Sequence, residues 1–133
     1  MSRRRKNILI CLVSLFLGAL LYICFRNHTY LSILVDKAIP LASLQTYLRP
    51  YRNDFLMFYL PDFLWGLSLG CALEAINLPP KGVMPSGAIA FLCGCIWELG
   101  QHLGFVNGTA DPLDALMYFT AGLVTTIVNI KEK

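Results

Sequence analysis

Four long apolar segments, separated by shorter polar ones, constrain this chain more than any other feature. They cover about residues 8–25, 55–76, 85–103 and 112–130. Each approaches the roughly 20 residues that a helix needs to cross the hydrocarbon core of a bilayer. Because lipid offers no hydrogen-bond partners, the backbone of such segments has to be helical. The pattern predicts an all-α integral membrane protein, with a single membrane domain over residues 1–133 and about four transmembrane helices.

The composition agrees with a fold in lipid. Hydrophobic residues make up 56% of the chain and charged residues only 14%, whereas soluble domains carry about 25% charged residues. The net charge is only +3, and the basic run from Arg3 to Lys6 directly precedes an apolar segment. Such a run is typical of a topology signal. We therefore expect membrane lipids as partners and no nucleic-acid partner.

The first apolar segment also has to be compared with a cleaved signal peptide, which begins in a similar way. Its apolar run is longer than the 7–15 residues of a typical signal-peptide core, and no small-x-small cleavage site closes it. We expect a retained helix.

The third apolar segment contains Gly87, Gly94 and Gly100, which would allow a neighbouring helix to approach closely in lipid. It also contains Cys93 and Cys95, whose spacing differs from the C-x-x-C of zinc or redox motifs. Residues two apart on a helix point in different directions. We therefore predict tight packing of this helix, no metal site and no cofactor.

The segment between the first two apolar stretches is too polar to span a membrane, and Pro40 and Pro50 interrupt it. Over about residues 29–48 it nevertheless carries apolar residues at near-helical spacing. These are Leu31, Leu34, Val35, Ala38 and Leu41. The pattern predicts one interfacial helix in the first outer loop.

The distribution of basic residues predicts the orientation. If all four segments span, one side holds Arg3 to Lys6, Lys81, Lys131 and Lys133, and the other holds Arg26, Lys37, Arg49 and Arg52. The side with more basic residues is expected in the cytoplasm, so both termini are predicted to be cytoplasmic. The basic residues of the second group oppose this rule. An alternative role for them is to bind an anionic lipid headgroup or a carboxylate group.

Ionisable and polar side chains inside the apolar segments are the main candidates for function. A charged side chain at the bilayer centre costs at least about 2.5–3.5 kcal/mol, so it requires a partner, a water-filled cavity or a function. In the predicted topology, all of them except Glu74 lie in the outer half. They are Asp62, Glu74, Glu98, Gln101, His102, Asp111 and Asp114.

Glu98, Gln101 and His102 are spaced to share one helix face. Glu98 lies deepest, so its carboxyl group requires a proton or a cation, for which Arg49 and Arg52 are the sequence candidates. His102, near the predicted helix end, is better explained by an interfacial position than by a catalytic role.

The remaining acids have structural explanations beside the functional one. Asp111 followed by Pro112 is typical of a helix start, and Asp114 then occupies the third helical position, near the positive end of the helix dipole. Asp62 follows Pro61 and would satisfy backbone groups freed by a proline kink. Glu74 is predicted to extend towards the inner interface.

Two motifs in the second half of the chain carry a family resemblance. One is E-L-G-Q at residues 98–101, and the other covers residues 108–122 with Asp111 and Asp114 at its acidic positions. Together they resemble the VanZ-like family of small bacterial membrane proteins, whose later helices carry E-x-x-Q and then R-x-x-D-x-x-D-x-x-x-N-x-x-G. Gly108 stands at the family's arginine and Tyr118 at its asparagine. The resemblance covers roughly residues 53–122.

The resemblance implies a multi-pass protein of the bacterial plasma membrane with an envelope-related role and, for the family's named member, reduced susceptibility to glycopeptide antibiotics. It implies no particular reaction. Because Gly108 replaces the family's arginine, a cation for the acids would have to come from elsewhere, with Arg49 and Arg52 as the candidates.

We therefore predict an outward-facing polar pocket that binds an envelope precursor, a lipid headgroup or a cationic group. Its residues are Asp62, Glu98, Gln101, Asp111, Asp114 and Tyr118. One alternative is a membrane-embedded hydrolase or transferase with Glu98 and Asp114 as general acid and base. Another is a subunit of a proton- or ion-coupled transporter, for which so short a chain would have to form a homo-oligomer. Whether the protein is an enzyme stays open at this point.

Overall fold

The computed structural model describes residues 1–26, 29–78, 80 and 84–130. Within these ranges the chain is helical and contains no strand, which confirms the all-α prediction. Its α-helices are α1 (Arg3–Phe25), α2 (Tyr30–Asp36), α3 (Ala42–Leu48), α4 (Leu60–Ala75), α5 (Ser86–His102) and α6 (Pro112–Ile130). A 3₁₀ turn (Arg49–Tyr51) follows α3, and a π-helical turn (Phe55–Tyr59) leads directly into α4. Lys81, Lys131 and Lys133 of the orientation argument lie outside the described residues.

Three of the helical stretches are long and apolar enough to cross a membrane, namely α1, Phe55–Ala75 and α6. They indicate a membrane protein. Helix α5 has only 17 residues, or about 25 Å of helix at 1.5 Å per residue, whereas the hydrocarbon core is about 30 Å thick. The fourth predicted span therefore stays a prediction.

The first connection contains two short helices, α2 and α3, and the prediction of one interfacial helix over about residues 29–48 is wrong in this respect. Pro40 lies between them and has no backbone N–H to continue a helix. Asp36 stabilises the turn between the two helices, because its Oδ1 accepts a hydrogen bond of 2.7 Å from the Leu41 N–H. Leu41 is buried, which anchors this connection to the bundle.

Helix α4 contacts α1, α5 and α6, and α5 packs along α6. The α5–α6 contact depends on glycines, as the sequence predicted. A Cβ added at Gly87 would overlap the Gly122 carbonyl group, and one added at Gly94 would overlap the Tyr118 ring. The two backbones therefore approach closely, and Tyr118 of α6 lies directly against α5.

One end of the bundle, which we call the terminal end, holds the start of α1 and the end of α6. Here Arg3 Nη2 donates a 2.6 Å hydrogen bond to Glu74 Oε2, and Ser86 Oγ donates one of 2.6 Å to Glu74 Oε1. The side chains of Arg3 and Glu74 are only 29% and 18% exposed. Glu74 therefore joins α1, α4 and the start of α5, rather than extending alone towards the interface.

A second polar contact at the terminal end joins α1 to α6. The amide groups of Asn7 and Asn129 exchange hydrogen bonds of 2.8 and 3.2 Å, and both residues are buried. The residues directly before this pair also meet, because Lys6 Nζ donates to the Val128 carbonyl oxygen at 3.1 Å. These contacts satisfy polar groups that lipid would leave without partners.

Candidate functional site

The opposite end of the bundle, which we call the cavity end, contains a cavity of about 490 Å³. Here α1 and α5 end, and α4 and α6 begin, so residues from four helices meet around one space. The loop between α5 and α6 covers part of it through Asn107, Gly108 and Thr109. Five carboxyl groups and one guanidinium group form its charged lining: Asp54, Asp62, Glu98, Asp111, Asp114 and Arg26.

The structure brings together all six residues that the sequence proposed for the pocket. Asp62, Glu98, Gln101, Asp111 and Asp114 line the cavity. Tyr118 lies behind this lining, and its hydroxyl group donates a 3.1 Å hydrogen bond to Asp62 Oδ1. Their convergence is a property of the fold, whereas their role in binding stays a prediction.

Asp111 has both of the roles that the sequence left open. Its Oδ1 accepts a hydrogen bond of 2.9 Å from the Leu113 N–H, which is the contact of a helix N-cap. Its Oδ2 faces the cavity, where it accepts a 3.3 Å hydrogen bond from the Tyr59 hydroxyl group. The Asp111 N–H in turn donates to Glu98 Oε2 at 3.1 Å. Capping therefore holds two carboxyl groups at the cavity.

Asp62 and Asp114 approach the cavity from different helices, α4 and α6. Asp62 accepts its hydrogen bond from Tyr118, and no contact to backbone groups freed by Pro61 is found within the described part of the chain. Asp114 Oδ1 is buried and has no hydrogen-bond partner among the described residues. A buried acceptor without a donor is costly. The carboxyl groups of Asp62 and Asp114 lie within hydrogen-bonding range of each other, so a proton shared between them would satisfy this oxygen.

The π-helical turn before α4 helps to place these groups. Its closing bond runs from the Leu60 N–H to the Phe55 carbonyl oxygen, directly before Pro61, which has no N–H to offer. The extra residue in this turn changes the direction in which the following side chains point. Tyr59, the last residue of the turn, and Asp62, in the first turn of α4, both line the cavity.

Arg26, Asp54, Tyr59 and Trp97 line the cavity without having been proposed for the pocket, although Arg26 belongs to the outer basic group for which a carboxylate partner was considered. Arg26 caps the end of α1, and its guanidinium carbon lies 4.8 Å from the centre of the Tyr22 ring and 5.0 Å from that of Phe58. Arg49 and Arg52, the candidates that the sequence offered for a cation beside the acids, line a separate cavity. The available signal was position, because Arg26 directly follows the first apolar segment on the side predicted for the acids.

Gln101 holds the covering loop in place. Its side-chain amide, oriented to satisfy both neighbours, donates to the Thr109 carbonyl oxygen and accepts from Trp97 Nε1, each at 3.2 Å. Gly108 has a φ of +143°, and a Cβ there would overlap the Gln101 amide. His102 is exposed and does not line the cavity, which fits the interfacial interpretation.

The donor set was also compared with metal sites and with known proteins. Within the described ranges, no group of three or more His, Cys, Asp or Glu side chains is arranged to hold a metal ion. Comparisons with protein-family models, with curated proteins and with solved structures give no match for this chain. The resemblance to the VanZ-like family therefore depends on the sequence motifs alone. The feature that bears on function is the charged cavity.

Proposed function

We propose that this protein binds the amine-bearing headgroup of an envelope lipid or lipid-linked precursor in the cavity at the cavity end. The observation that carries the proposal is the convergence of five carboxyl groups and one guanidinium group on a single cavity. Such an excess of acidic groups favours a cation. An ammonium group also supplies three N–H donors, which match the carboxyl groups that line the cavity.

The size and the aromatic residues of the cavity support a headgroup rather than a bare ion. A volume of about 490 Å³ lies within the range of small-molecule sites, roughly 300–1,000 Å³. The Arg26 guanidinium group already covers the rings of Tyr22 and Phe58. Tyr59 and Trp97 are the other aromatic residues of the lining, and aromatic faces attract organic ammonium groups. Arg26 is placed to balance an anionic part of the same headgroup.

The proposal includes the four-span topology, with α5 as the fourth span and the cavity on the outer side. It is supported by the packing of α5 against α4 and α6. Helix α6 is long and apolar enough to cross a membrane, and so is the stretch Phe55–Ala75, which contains α4. Arg3 to Lys6 then lie on the cytoplasmic side. Fusions of a cytoplasmic and an exterior reporter after Gly82, Gly108 and Lys133 are expected to give inside, outside and inside. An outside signal after Lys133 would contradict the topology.

We also propose membership of the VanZ-like family and, with it, a bacterial plasma-membrane location. The support is the match of Glu98, Gln101, Asp111 and Asp114 to the family's motifs, together with their convergence at one cavity. Arg26 takes over the place of the missing arginine in this account. An effect on glycopeptide susceptibility is the phenotype to examine first.

A lipid-binding experiment tests the proposal. The purified protein in detergent is titrated with short-chain phosphatidylethanolamine, which has an amine, and with short-chain phosphatidylglycerol, which has none. We expect Glu98→Gln and Asp114→Asn to lower affinity for the amine lipid about tenfold, since hydrogen bonds to charged groups contribute about 1.5–3 kcal/mol.

Asp36→Asn provides the matched control for this experiment. It removes one negative charge outside the cavity and keeps the oxygen that accepts from the Leu41 N–H. Its affinity for the amine lipid is expected to equal that of the wild type. Unchanged binding in both Glu98→Gln and Asp114→Asn would overturn the proposal.

A further inference from the structure

Arg49 and Arg52 oppose the positive-inside rule, and the acidic cavity leaves them unexplained. They line a second cavity of about 380 Å³, together with Gln45 and Thr46 of α3 and with Cys24 and Phe25 of α1. None of its lining residues is acidic. The cavity end therefore carries two spaces of opposite charge, on either side of the last turn of α1.

The second cavity is built on structured backbone. Gln45 Nε2 donates a 2.9 Å hydrogen bond to the Ile23 carbonyl oxygen, which holds α3 against α1. The 3₁₀ turn that carries Arg49 continues directly from α3, and the Arg52 N–H closes it by donating to the Arg49 carbonyl oxygen at 3.3 Å. Pro50 restricts the turn further. The two guanidinium groups therefore extend from a defined segment.

Neither guanidinium group is neutralised by the part of the chain that the structure describes. Within it, the side chains of Arg49 and Arg52 make no hydrogen bond and no ion pair. Both residues are exposed, and two cations that line one cavity favour an anion as ligand. The planar, multidentate guanidinium group matches phosphate oxygens particularly well.

The position of the cavity identifies the source of the phosphate. Cys24 and Phe25 belong to the last turn of α1, a helix of spanning length, and such a turn lies at the level of the lipid headgroups. Tyr47 and Tyr51, next to the arginines in sequence, are 73% and 62% exposed. Exposed tyrosines are typical of the membrane interface. A phosphate at this level belongs to a lipid.

We propose that Arg49 and Arg52 form a binding site for the phosphate group of a membrane phospholipid, separate from the acidic cavity. The site holds the connection between α1 and α4 to the lipid surface. It requires no amine on the lipid, and therefore stands or falls independently of the proposed function.

Lipid retention tests this proposal. The protein is purified in detergent with added phosphatidylglycerol, and the bound lipid is counted by native mass spectrometry. We expect Arg49→Gln/Arg52→Gln to reduce bound phosphatidylglycerol about tenfold or more, since two charge-assisted contacts are lost. The matched control Arg4→Gln/Arg5→Gln removes two exposed charges at the terminal end and is expected to retain the lipid. Equal loss in both double variants, or no loss in either, would overturn the proposal.

Two further arms separate specific phosphate recognition from other effects. Arg49→Lys/Arg52→Lys keeps the charge but loses the guanidinium geometry, so we expect bound phosphatidylglycerol to fall a few-fold. Full retention of the lipid would contradict phosphate recognition by the guanidinium groups.

Soluble glycerol phosphate is expected to compete only weakly with the lipid, because it lacks acyl chains. Displacement of the lipid at equal concentrations would show a soluble phosphate site and overturn the lipid assignment. Helix content by circular dichroism verifies folding of each variant.

Discussion

The two ends of the helix bundle use the same kinds of side chain in opposite ways. At the terminal end, Glu74 meets both Arg3 and Ser86, and the buried Asn7 meets Asn129. At the cavity end, five carboxyl groups share a space with one guanidinium group, and no ion pair is found there among the described residues. Pairing, and not polarity alone, therefore distinguishes polar residues that hold helices together from those available to a ligand.

Glu74 and Glu98 show the difference within one residue type. Glu74 accepts hydrogen bonds from two side chains on different helices, one of them charged. Glu98 accepts only from the backbone N–H of Asp111 within the described structure. The energetic consequence is that a change at Glu74 affects mainly the free energy of unfolding, whereas a change at Glu98 affects mainly binding.

The largest expected effect comes from filling the α5–α6 contact next to the cavity. Gly94→Ala would place a methyl group into the Tyr118 side chain, so the helices have to separate. We expect a loss of about 1–3 kcal/mol in the free energy of unfolding, together with weaker binding of the amine lipid, since Tyr118 supports Asp62. Thermal unfolding in detergent and lipid titration measure the two effects.

Gly18→Ala is the control for this substitution. A Cβ there would lie 3.6 Å from Trp65 Cε2 and 3.7 Å from Leu64 Cβ, which is ordinary contact. We expect this variant to be as stable as the wild type or more stable by up to about 1 kcal/mol, because alanine favours helix over glycine. A loss of stability equal to that of Gly94→Ala would show that the close α5–α6 contact is not the cause.

The second prediction makes the same chemical change at both ends. Glu74→Gln removes the charge that neutralises the half-buried Arg3, and we expect it to cost about 2 kcal/mol, below the 3–5 kcal/mol of a fully buried pair. Glu98→Gln keeps the oxygen that accepts from Asp111, so we expect a change of about 0.5 kcal/mol or less. Chemical denaturation in mixed micelles compares the two variants. Equal losses would remove the distinction between the two ends.

Among the contacts of the terminal end, the smaller effect is expected for the asparagine pair. Asn7→Leu or Asn129→Leu leaves a buried amide without its partner, at a cost of about 1 kcal/mol. Replacing both residues removes both unpaired groups at nearly constant volume, so the double variant is expected to lose about 1 kcal/mol less than the sum of the single variants. A double-mutant cycle on the free energy of unfolding measures this coupling. Strict additivity would mean that the paired amides do not stabilise the terminal end.

Much of the candidate site was predictable from local sequence rules. Asp111 before Pro112 indicated a helix start, and the cap contact to Leu113 is present. The spacing of Glu98 and Gln101 placed both on one helix face, and both line the cavity. The loop between α5 and α6 is short, so it keeps these residues near Asp111. Such inferences succeed because they depend on residues close together in the chain.

The errors concern partners that are distant in sequence. Arg49 and Arg52 were the candidates for a cation beside the acids, but Arg26 lines that cavity and they line another. Glu74 pairs with Arg3, 71 positions away, a partner that the sequence did not indicate. Which residue faces which depends on how each helix is rotated about its axis, and hydrophobicity averaged over a segment carries little information on that rotation.

By itself, the sequence determined that this chain is helical, that it has the character of a membrane protein, and that its acids gather near particular helix ends. Those properties follow from the solvation of the backbone in lipid and from local capping rules. The tertiary structure alone decided which acids are neutralised and which face a cavity. The physical reason is that close packing, such as that of Gly87 on Gly122, sets the rotation and spacing of the helices, and these set the partner of every polar side chain.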